Sequence, residues 1–226
     1  MDENRLVLSA VTPPAESSSS VNYKPNQKKK FTNRVLFINP PTDRTQFIGT
    51  DNYFPLGLIS LATVLRVDGD IAEVIDTNNE FFNKHLDDDL LKNHVEDVLI
   101  PYIKKFKPDI IGLGGTFSGA FKYTKFIGKM IKDNFRDIPI IVGGNHASTF
   151  KGLVIKRFKY IDYVLIGEGE YTFPKLLECI IEKKGTGIEK IDGLAYRKGG
   201  HLGNGYDPLT GNIHTPAEQI IVQEKS

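Results

Sequence analysis

The chain has 226 residues, 40% hydrophobic and 25% charged, with a formal net charge of +1. That length holds one domain with a full core and barely two. The charge balance points to neither nucleic acid nor an anionic membrane, and no apolar run is long enough to span a bilayer.

Residues 1–30 carry Pro13-Pro14, a serine run from Ser17 to Ser20 and Lys28 to Lys30. This is the composition of a disordered tail outside the fold. Arg34 to Asn39 is the first strand. Pro40 to Tyr53 follows without periodicity and exceeds the usual connection in a βα unit, which marks a functional loop. Phe54 to Val67 is a helix with Pro55 in its first turn and Leu58, Ile59, Ala62 and Leu65 on one face. Ile71 to Asp76 is the second strand. Leu90 to Phe106 is a helix that Pro101 should kink or interrupt. Asp109 to Leu113 is the third strand and Gly119 to Phe135 the next helix. Ile138 to Val142, the fourth strand, stops at Gly143-Gly144 before the polar cluster Asn145-His146-Ala147-Ser148. A short helix is expected over Thr149 to Phe158, a fifth strand over Asp162 to Ile166 and a last helix over Glu170 to Lys184. The alternation then stops. Leu194 to Arg197, Lys198 to Gly200 and His201-Leu202 read as a small hairpin, and the residues after Gly203 as a linker or edge segment.

Five such units with right-handed crossovers predict an α/β fold. It is an open, doubly wound, parallel five-stranded sheet of flavodoxin-like or Rossmann-like type, in the order 2-1-3-4-5. It would occupy residues 31–187, with the hairpin and linker over 188–226. Ligands of such sheets bind at the carboxyl ends of the strands, where the order reverses. The Pro40–Tyr53 loop and the Gly114–Ser118 turn would flank that crevice, with Gly143 to Ser148 beside it.

Several chemistries fit poorly. A dinucleotide site needs glycines after the first strand, and this turn is Asn39-Pro40-Pro41-Thr42, although Asp76 is well placed for the ribose. No phosphate-binding loop of the Walker type occurs. The one cysteine, Cys179, excludes an internal disulfide framework and a cysteine-bound metal or iron–sulfur centre made by this chain alone. It falls at an apolar position of the last helix, which suits packing rather than nucleophilic attack. His85 and His94 lie in a polar stretch beside Asp87 to Asp89 at no recognised metal-ligand spacing. His146 is the histidine of the functional edge. A turn-stabilising hydrogen bond and a ligand contact are both open to it. A reducing cytoplasm suits the lone cysteine, and the first residues do not read as a signal peptide.

Seven fragments in order carry a resemblance. They are the Asn39-Pro40-Pro41 turn, YFPLGLISLATVLR from Tyr53, EVID from Glu73, PDIIGLGGT from Pro108, IPIIVGGNHAS from Ile138, DYVLIGEGEYTFPKLLE from Asp162 and IDGLAYRKGG from Ile191. Together, over Arg34 to His201, the chain resembles the N-terminal cobalamin-binding domain of B12-dependent radical SAM proteins. The resemblance implies a corrinoid at the carboxyl edge of the sheet, its nucleotide tail in a groove between strands and helices. The site residues it implies are Asn39, Pro40, Pro41 and Thr42 in the first turn, and Gly114, Gly115, Thr116, Phe117 and Ser118 after the third strand. To these it adds Gly143, Gly144, Asn145, His146 and Ala147 after the fourth strand, and Gly167, Glu168, Gly169 and Glu170 after the fifth. Glycine pairs would let a flat base approach the backbone, while Thr116, Ser118 and helix amides would meet ribose and phosphate. Tight strand–helix turns would account for any one glycine pair equally well. A bulky residue at Gly144 is expected to fill the groove while the fold persists.

Two departures stand out. The wider B12 family has an Asp-x-His-x-x-Gly loop whose histidine ligates cobalt. Here Asp43-Arg44-Thr45-Gln46-Phe47-Ile48-Gly49 puts Thr45 at the histidine position and the glycine one residue late. The Cys-x-x-x-Cys-x-x-Cys motif of the radical SAM relatives is also missing. S-adenosylmethionine and a [4Fe–4S] cluster would therefore act only through a missing or separate domain, and methyl transfer would need that domain. The competing expectation is a degenerate, ligand-free interaction or regulatory module of the same fold. A hydrolase or transferase has no nucleophile–base pair here to support it.

Overall fold

The computed structural model describes residues 7–8, 32–41, 54–77, 88–116, 118–198 and 219–225. In chain order the strands are β1 (Val7–Leu8), β2 (Arg34–Asn39), β3 (Ile71–Asp76), β4 (Ile110–Gly114), β5 (Ile140–Gly143), β6 (Tyr163–Leu165), β7 (Leu194–Lys198) and β8 (Gln219–Gln223). The helices are α1 (Leu56–Val67), α2 (Asp88–Phe106), α3 (Phe121–Asn134), α4 (Asn145–Arg157) and α5 (Thr172–Leu177), the last continued by a π-helical turn over Glu178–Glu182.

One sheet holds all eight strands in the order β1-β3-β2-β4-β5-β6-β7-β8. Its centre, β3-β2-β4-β5-β6, is parallel throughout and has the predicted 2-1-3-4-5 order. The strand count differs from five because three antiparallel strands extend the edges. Val7–Leu8 pairs with Ile75 and Val74 of β3, so part of the stretch expected outside the fold joins the sheet. Strand β7 pairs with β6 on one side and β8 on the other. The expected tight hairpin through His201-Leu202 is thereby replaced: the arm beside β7 is Gln219–Gln223, and residues 199–218 lie outside the described residues.

Alternation along the parallel strands builds a core on each face. Leu36, Ile38, Ile111, Leu113, Ile140 and Val142 pack under α2, α3 and α4. Val35, Phe37, Ile110, Ile141 and Leu165 pack under α1 and α5. Helix α2 runs on past Pro101 to Phe106, where an interruption was expected. Helix α4 starts four residues earlier than expected. The polar run Asn145 to Ser148 is its first turn, not a loop, and Lys151 at φ 39° kinks it.

The amino edge of the sheet is fixed by aspartates. Asp70 accepts the Asn33 amide at 3.0 Å, Asp109 that of Arg34 at 2.7 Å, and Asp162 that of Ile140 at 2.7 Å. Each carboxylate sits just before one strand and ties down the entry of its neighbour. Lys132 completes the third clamp. Its side chain is 1% exposed, lies 2.8 Å from Asp162, and donates to the carbonyl oxygens of Ile138 at 2.7 Å and Arg136 at 3.3 Å. Removing one partner of such a pair leaves the other buried without compensation. Lys132→Ala is therefore expected to cost about 3 kcal/mol, read as a lower urea midpoint at constant slope; a change under about 1 kcal/mol would mean that the clamp is solvent-compensated.

Candidate functional site

The carboxyl edge of the sheet opens into a cleft of about 400 Å³. That lies within the usual range for small-ligand sites, about 300–1,000 Å³. Its walls come from the end of β2, the first turn of α1, the ends of β4 and β5, the start of α4 and the turn after β6. The switch point between β2 and β4 is thus at its centre.

Among the expected residues, Asn39, Pro40, Gly114, Thr116, Gly143, Gly144, Asn145, Gly167, Glu168, Gly169 and Glu170 line this cleft. Others fall behind it. Pro41 is buried, Gly115 is buried under the β5 edge, and Ala147 belongs to the core beneath α4. Ser118 and His146 bond to each other, Oγ to Nδ1, at 2.8 Å. Thr42, Phe117, the stretch Asp43 to Gly49 and His85 lie outside the described residues.

The glycine turns are built by backbone contact. Gly114 and Gly143 are partners in the register of β4 and β5, and the Gly115 amide donates to the Gly143 carbonyl at 2.7 Å. Gly144 has φ +108°. A Cβ there would stand 2.9 Å from the Gly115 carbonyl carbon and the Thr116 amide nitrogen. The expectation that a bulky Gly144 would fill the groove and spare the fold is therefore wrong: this position is closed by backbone. Gly143 behaves differently. Its nearest neighbours to a Cβ are Leu165 atoms at 3.8 and 4.0 Å, which line the cleft.

The first turn of α4 is committed to the fold. The amides of His146 and Ala147 donate to the Gly115 carbonyl at 3.1 and 3.3 Å, and that of Ser148 to Gly144 at 2.8 Å. The His146 ring packs between Phe121 and Phe150, at centroid distances of 4.1 and 4.6 Å. Burial first, and Lys125 second, hold its imidazole below its ordinary pKa. His146 thus forms the turn-stabilising hydrogen bond, one of the two roles open to it. Asn39 likewise orders its own turn, donating to Asp76 at 2.8 Å. Asp76 thereby serves the fold at the position where a dinucleotide-binding protein would hold a ribose.

Sequence reasoning missed the cleft's apolar depth. Phe37, Leu61, Gly112, Ile141, Leu165 and Phe173 line it on the α1–α5 face. A signal existed in Gly112, a glycine inside an otherwise apolar strand, which marks close approach of another group. That group is Phe37, whose ring would come within 2.5 Å of a Cβ at position 112. Gly57 is a second missed position. It lines the cleft in the first turn of α1, and a Cβ there would meet nothing within 4 Å. Glu170 accepts from Ser60 at 2.8 Å, tying α1 to the turn after β6 across the mouth. Cys179 is buried in the π-helical turn, and its thiol pKa is raised mainly by burial, which matches a packing role. No cluster of three or more metal-ligating side chains occurs among the described residues.

A cleft of this kind, at a topological switch point and edged with glycines, has a counterpart in known proteins. The family model for the B12 binding domain matches residues 50–177. The chain belongs to this B12-binding family. The matched span holds every cleft residue from α1 to Phe173; Phe37, Asn39 and Pro40 precede it. The chain is 32% identical, over 174 residues, to an uncharacterized methyltransferase of Pyrococcus horikoshii, covering 76% of this chain and 34% of that protein. It is 26% identical over 169 residues to the cytidylyl-2-hydroxyethylphosphonate methyltransferase of Streptomyces wedmorensis, covering 73% and 31%. With a cobalamin-dependent radical SAM methyltransferase of Streptomyces tokunonensis it shares 24% identity over 158 residues, covering 69% and 21%. The chain thus spans about a third or less of the length of these relatives. No helix among the described residues is long and apolar enough to cross a membrane.

Two measurements test this B12-binding edge as built. Gly144→Ala is expected to lose about 2 kcal/mol, since it combines positive φ with backbone contact, and Gly143→Ala less than about 1 kcal/mol. Equal losses in chemical denaturation would contradict the asymmetry. For His146, the folded state disfavours the imidazolium. Its contribution is present above the unfolded pKa of about 6.5 and is lost as pH falls through the lower folded value. The melting-temperature advantage of the wild type over His146→Asn should therefore shrink as pH drops below about 6.5; a pH-independent advantage would mean that folding leaves the proton affinity of the imidazole unchanged.

Proposed function

We propose that this chain is the corrinoid-holding part of a cobalamin-dependent methyltransferase-type protein. The nucleotide tail of cobalamin enters the cleft between α1 and the sheet, and the macrocycle lies over the carboxyl edge. The observation that carries the reading is the cradle itself. Gly57 leaves open space where any other residue would place a Cβ, a Cβ at Gly143 would meet only Leu165 at 3.8 and 4.0 Å, and the residues behind them are aromatic and aliphatic. A flat base fits such a slot, where apolar burial contributes about 25 cal/mol per Å². The ribose and phosphate pass the mouth, where Thr116 and Asn145 are exposed and α1 begins without a side-chain cap. Helix amides at such an end favour an anion.

When bound, cobalamin supplies a cobalt-centred methyl carrier. The chain's own residues do the holding. Asn39 and Asp76 fix the first turn, Ser60 and Glu170 fix the mouth, and the Gly114–Gly143 edge sets the height of the ligand. The reading includes cobalt without a histidine from the first loop, because Thr45 takes that position in the sequence. It also assigns S-adenosylmethionine and a [4Fe–4S] cluster to a further domain or a separate radical SAM protein, since one cysteine cannot ligate a cluster.

The test is visible absorption after incubation with hydroxocobalamin and desalting. The wild type should retain colour, with a spectrum that His146→Ala leaves unchanged. Gly143→Leu should weaken retention about tenfold or more, near 1.4 kcal/mol, while keeping the far-ultraviolet circular dichroism of the wild type. Colourless wild type would favour the ligand-free interaction module. Full retention by folded Gly143→Leu would remove the β5 edge from the site.

A further inference from the structure

The cleft wall that follows β6 is held from outside. Its turn, Gly167 to Glu170, has no regular structure and contains two glycines, so its own backbone does little to fix it. Strand β8 and the two residues after it supply the contacts. The Lys225 ammonium donates to the Glu168 carbonyl. The Lys225 stem crosses Gly193 and Gly167. A Cβ at Gly193 would stand 2.9 Å from its Cε, and one at Gly167 3.7 Å from its Cδ. Both glycines have positive φ, +75° and +71°, so any other residue would be strained there as well as crowded against the stem. The end of β8 is fixed in turn. The Gly193 amide donates to the Gln223 carbonyl at 2.8 Å, and the Gln223 side-chain amide donates to the Glu189 carbonyl. The Gly193 carbonyl then accepts the Ile166 amide at 2.9 Å, at the entry to the turn.

A second route runs through α4. Gly152 leaves room for β8, since a Cβ there would stand 2.9 Å from Val222 and 3.2 Å from Ile220. The residue before it, Lys151, has φ 39° and ψ −114°, a conformation that persists only where the surroundings impose it. Glu224 is one of those surroundings, with its carboxylate oxygens 2.6 and 2.8 Å from Lys151 Nζ. One turn earlier, Ser148 accepts the Gly167 amide at 3.0 Å and donates to the Leu165 carbonyl at 3.3 Å. The kink therefore lies between the seat of β8 on α4 and the hydroxyl that holds the turn.

We propose that β8, with Glu224 and Lys225, is a strap on the mouth of the cleft. Docked, it fixes the turn Gly167 to Glu170. Released, it frees that turn while the parallel centre of the sheet stays intact. Lys225 is a positioning residue, acting on the cleft through Glu168. The strap is separable because its contacts are superficial: Val222 is 41% exposed, and Glu224 and Lys225 are exposed. Segments held this way open at far lower cost than a buried strand. The strap goes beyond the corrinoid reading and applies to any occupant of the cleft.

Amide hydrogen exchange of the whole chain tests this without a ligand, read at Ile166 and Gly167. Lys225→Met should quicken both about two- to fivefold, the range that an exposed charged contact is worth. Lys225→Arg should leave them as in the wild type. Gly152→Leu, a wedge between α4 and β8 outside the cleft, should quicken them at least about fivefold, as overpacking by one side chain does. The amides of Gln219 to Gln223 should quicken with them, and those of Ile111 and Val142 should not change in any variant. Unchanged exchange at Ile166 and Gly167 in Lys225→Met overturns the strap, whatever Gly152→Leu does. Quickening that reaches Ile111 and Val142 also overturns it, by making β8 part of the core. Equal quickening in Lys225→Met and Lys225→Arg overturns the role of Lys225. Equilibrium dialysis against hydroxocobalamin gives a second readout, and Lys225→Met should bind about two- to fivefold more weakly than the wild type. Equal affinity overturns the strap's hold on the cleft. Failure of every form to bind, with the exchange pattern as expected, removes the corrinoid reading and leaves the strap standing.

Discussion

The structure depends on a contact between two backbones. At the carboxyl edge Gly144 turns with φ +108° directly against Gly115 and Thr116, at distances that leave no room for a Cβ. The Gly115 amide bonds the Gly143 carbonyl, and the Gly115 carbonyl receives amides from the first turn of α4. At this edge strand β4, strand β5 and helix α4 meet backbone to backbone. A left-handed residue in such a place is natural only for glycine. The edge is consequently flat and rigid, and its width is set by the sheet rather than by rotamers.

That lock decides what chemistry the cleft has. An N-terminal helix turn is ordinarily a place for an anion. In α4 the first amides are bonded to Gly115 and Gly144, and the His146 ring is held by Ser118, Phe121 and Phe150. What α4 gives the cleft is therefore shape, through Gly144, Asn145 and Ser148. The apolar side of the sheet supplies the rest. Phe37 can lie across β4 because position 112 is glycine, and Phe173 closes on it from α5. The result is a cleft with packed aromatic and aliphatic core beneath it and a polar mouth.

The parallel core was legible because each strand is a short apolar run and each turn is marked by glycine or proline. Alternation on both faces explains why RVLFIN and IIGLG could be placed without ambiguity. The edge strands were not legible. Val7–Leu8 is two residues of a short run, Leu6 to Val11, ahead of Pro13-Pro14 and the serine run, and Gln219–Gln223 is separated from its partner β7 by twenty residues. Their pairing is non-local, and residues 199–218 offer several turn signals, from Gly199-Gly200 to Gly211-Asn212, without singling one out. The start of α4 was missed because Asn145 and Ser148 favour turns in isolation; tertiary bonds to Gly115 override that preference. Among site residues, the glycine-marked ones came from the sequence. The apolar residues beneath the cleft did not, because Phe37, Ile141 and Phe173 are core residues by burial and nothing in their sequence pattern sets them apart. Gly144 was named for the right edge and the wrong reason: the sequence can show that small size is needed, but not whether backbone or ligand needs it.

The two helices that meet the cleft show how the fold separates stability from binding. Helix α4 begins with the amides of His146, Ala147 and Ser148 bonded. Helix α1 does the reverse. It begins after Pro55 with no side-chain cap, keeps Gly57 in its first turn with nothing within 4 Å, and exposes Phe54 at 57% and Leu56 at 70%. Each feature weakens a helix: glycine in a helix costs about 0.5–1 kcal/mol relative to alanine, and a missing cap about 1 kcal/mol. The fold tolerates this because Ala62 and Leu65 are fully buried one turn later and Ser60 is tied to Glu170. The weak end of α1 borders the cleft. A helix start left this open at the border of the cleft supports the reading of the site proposed above.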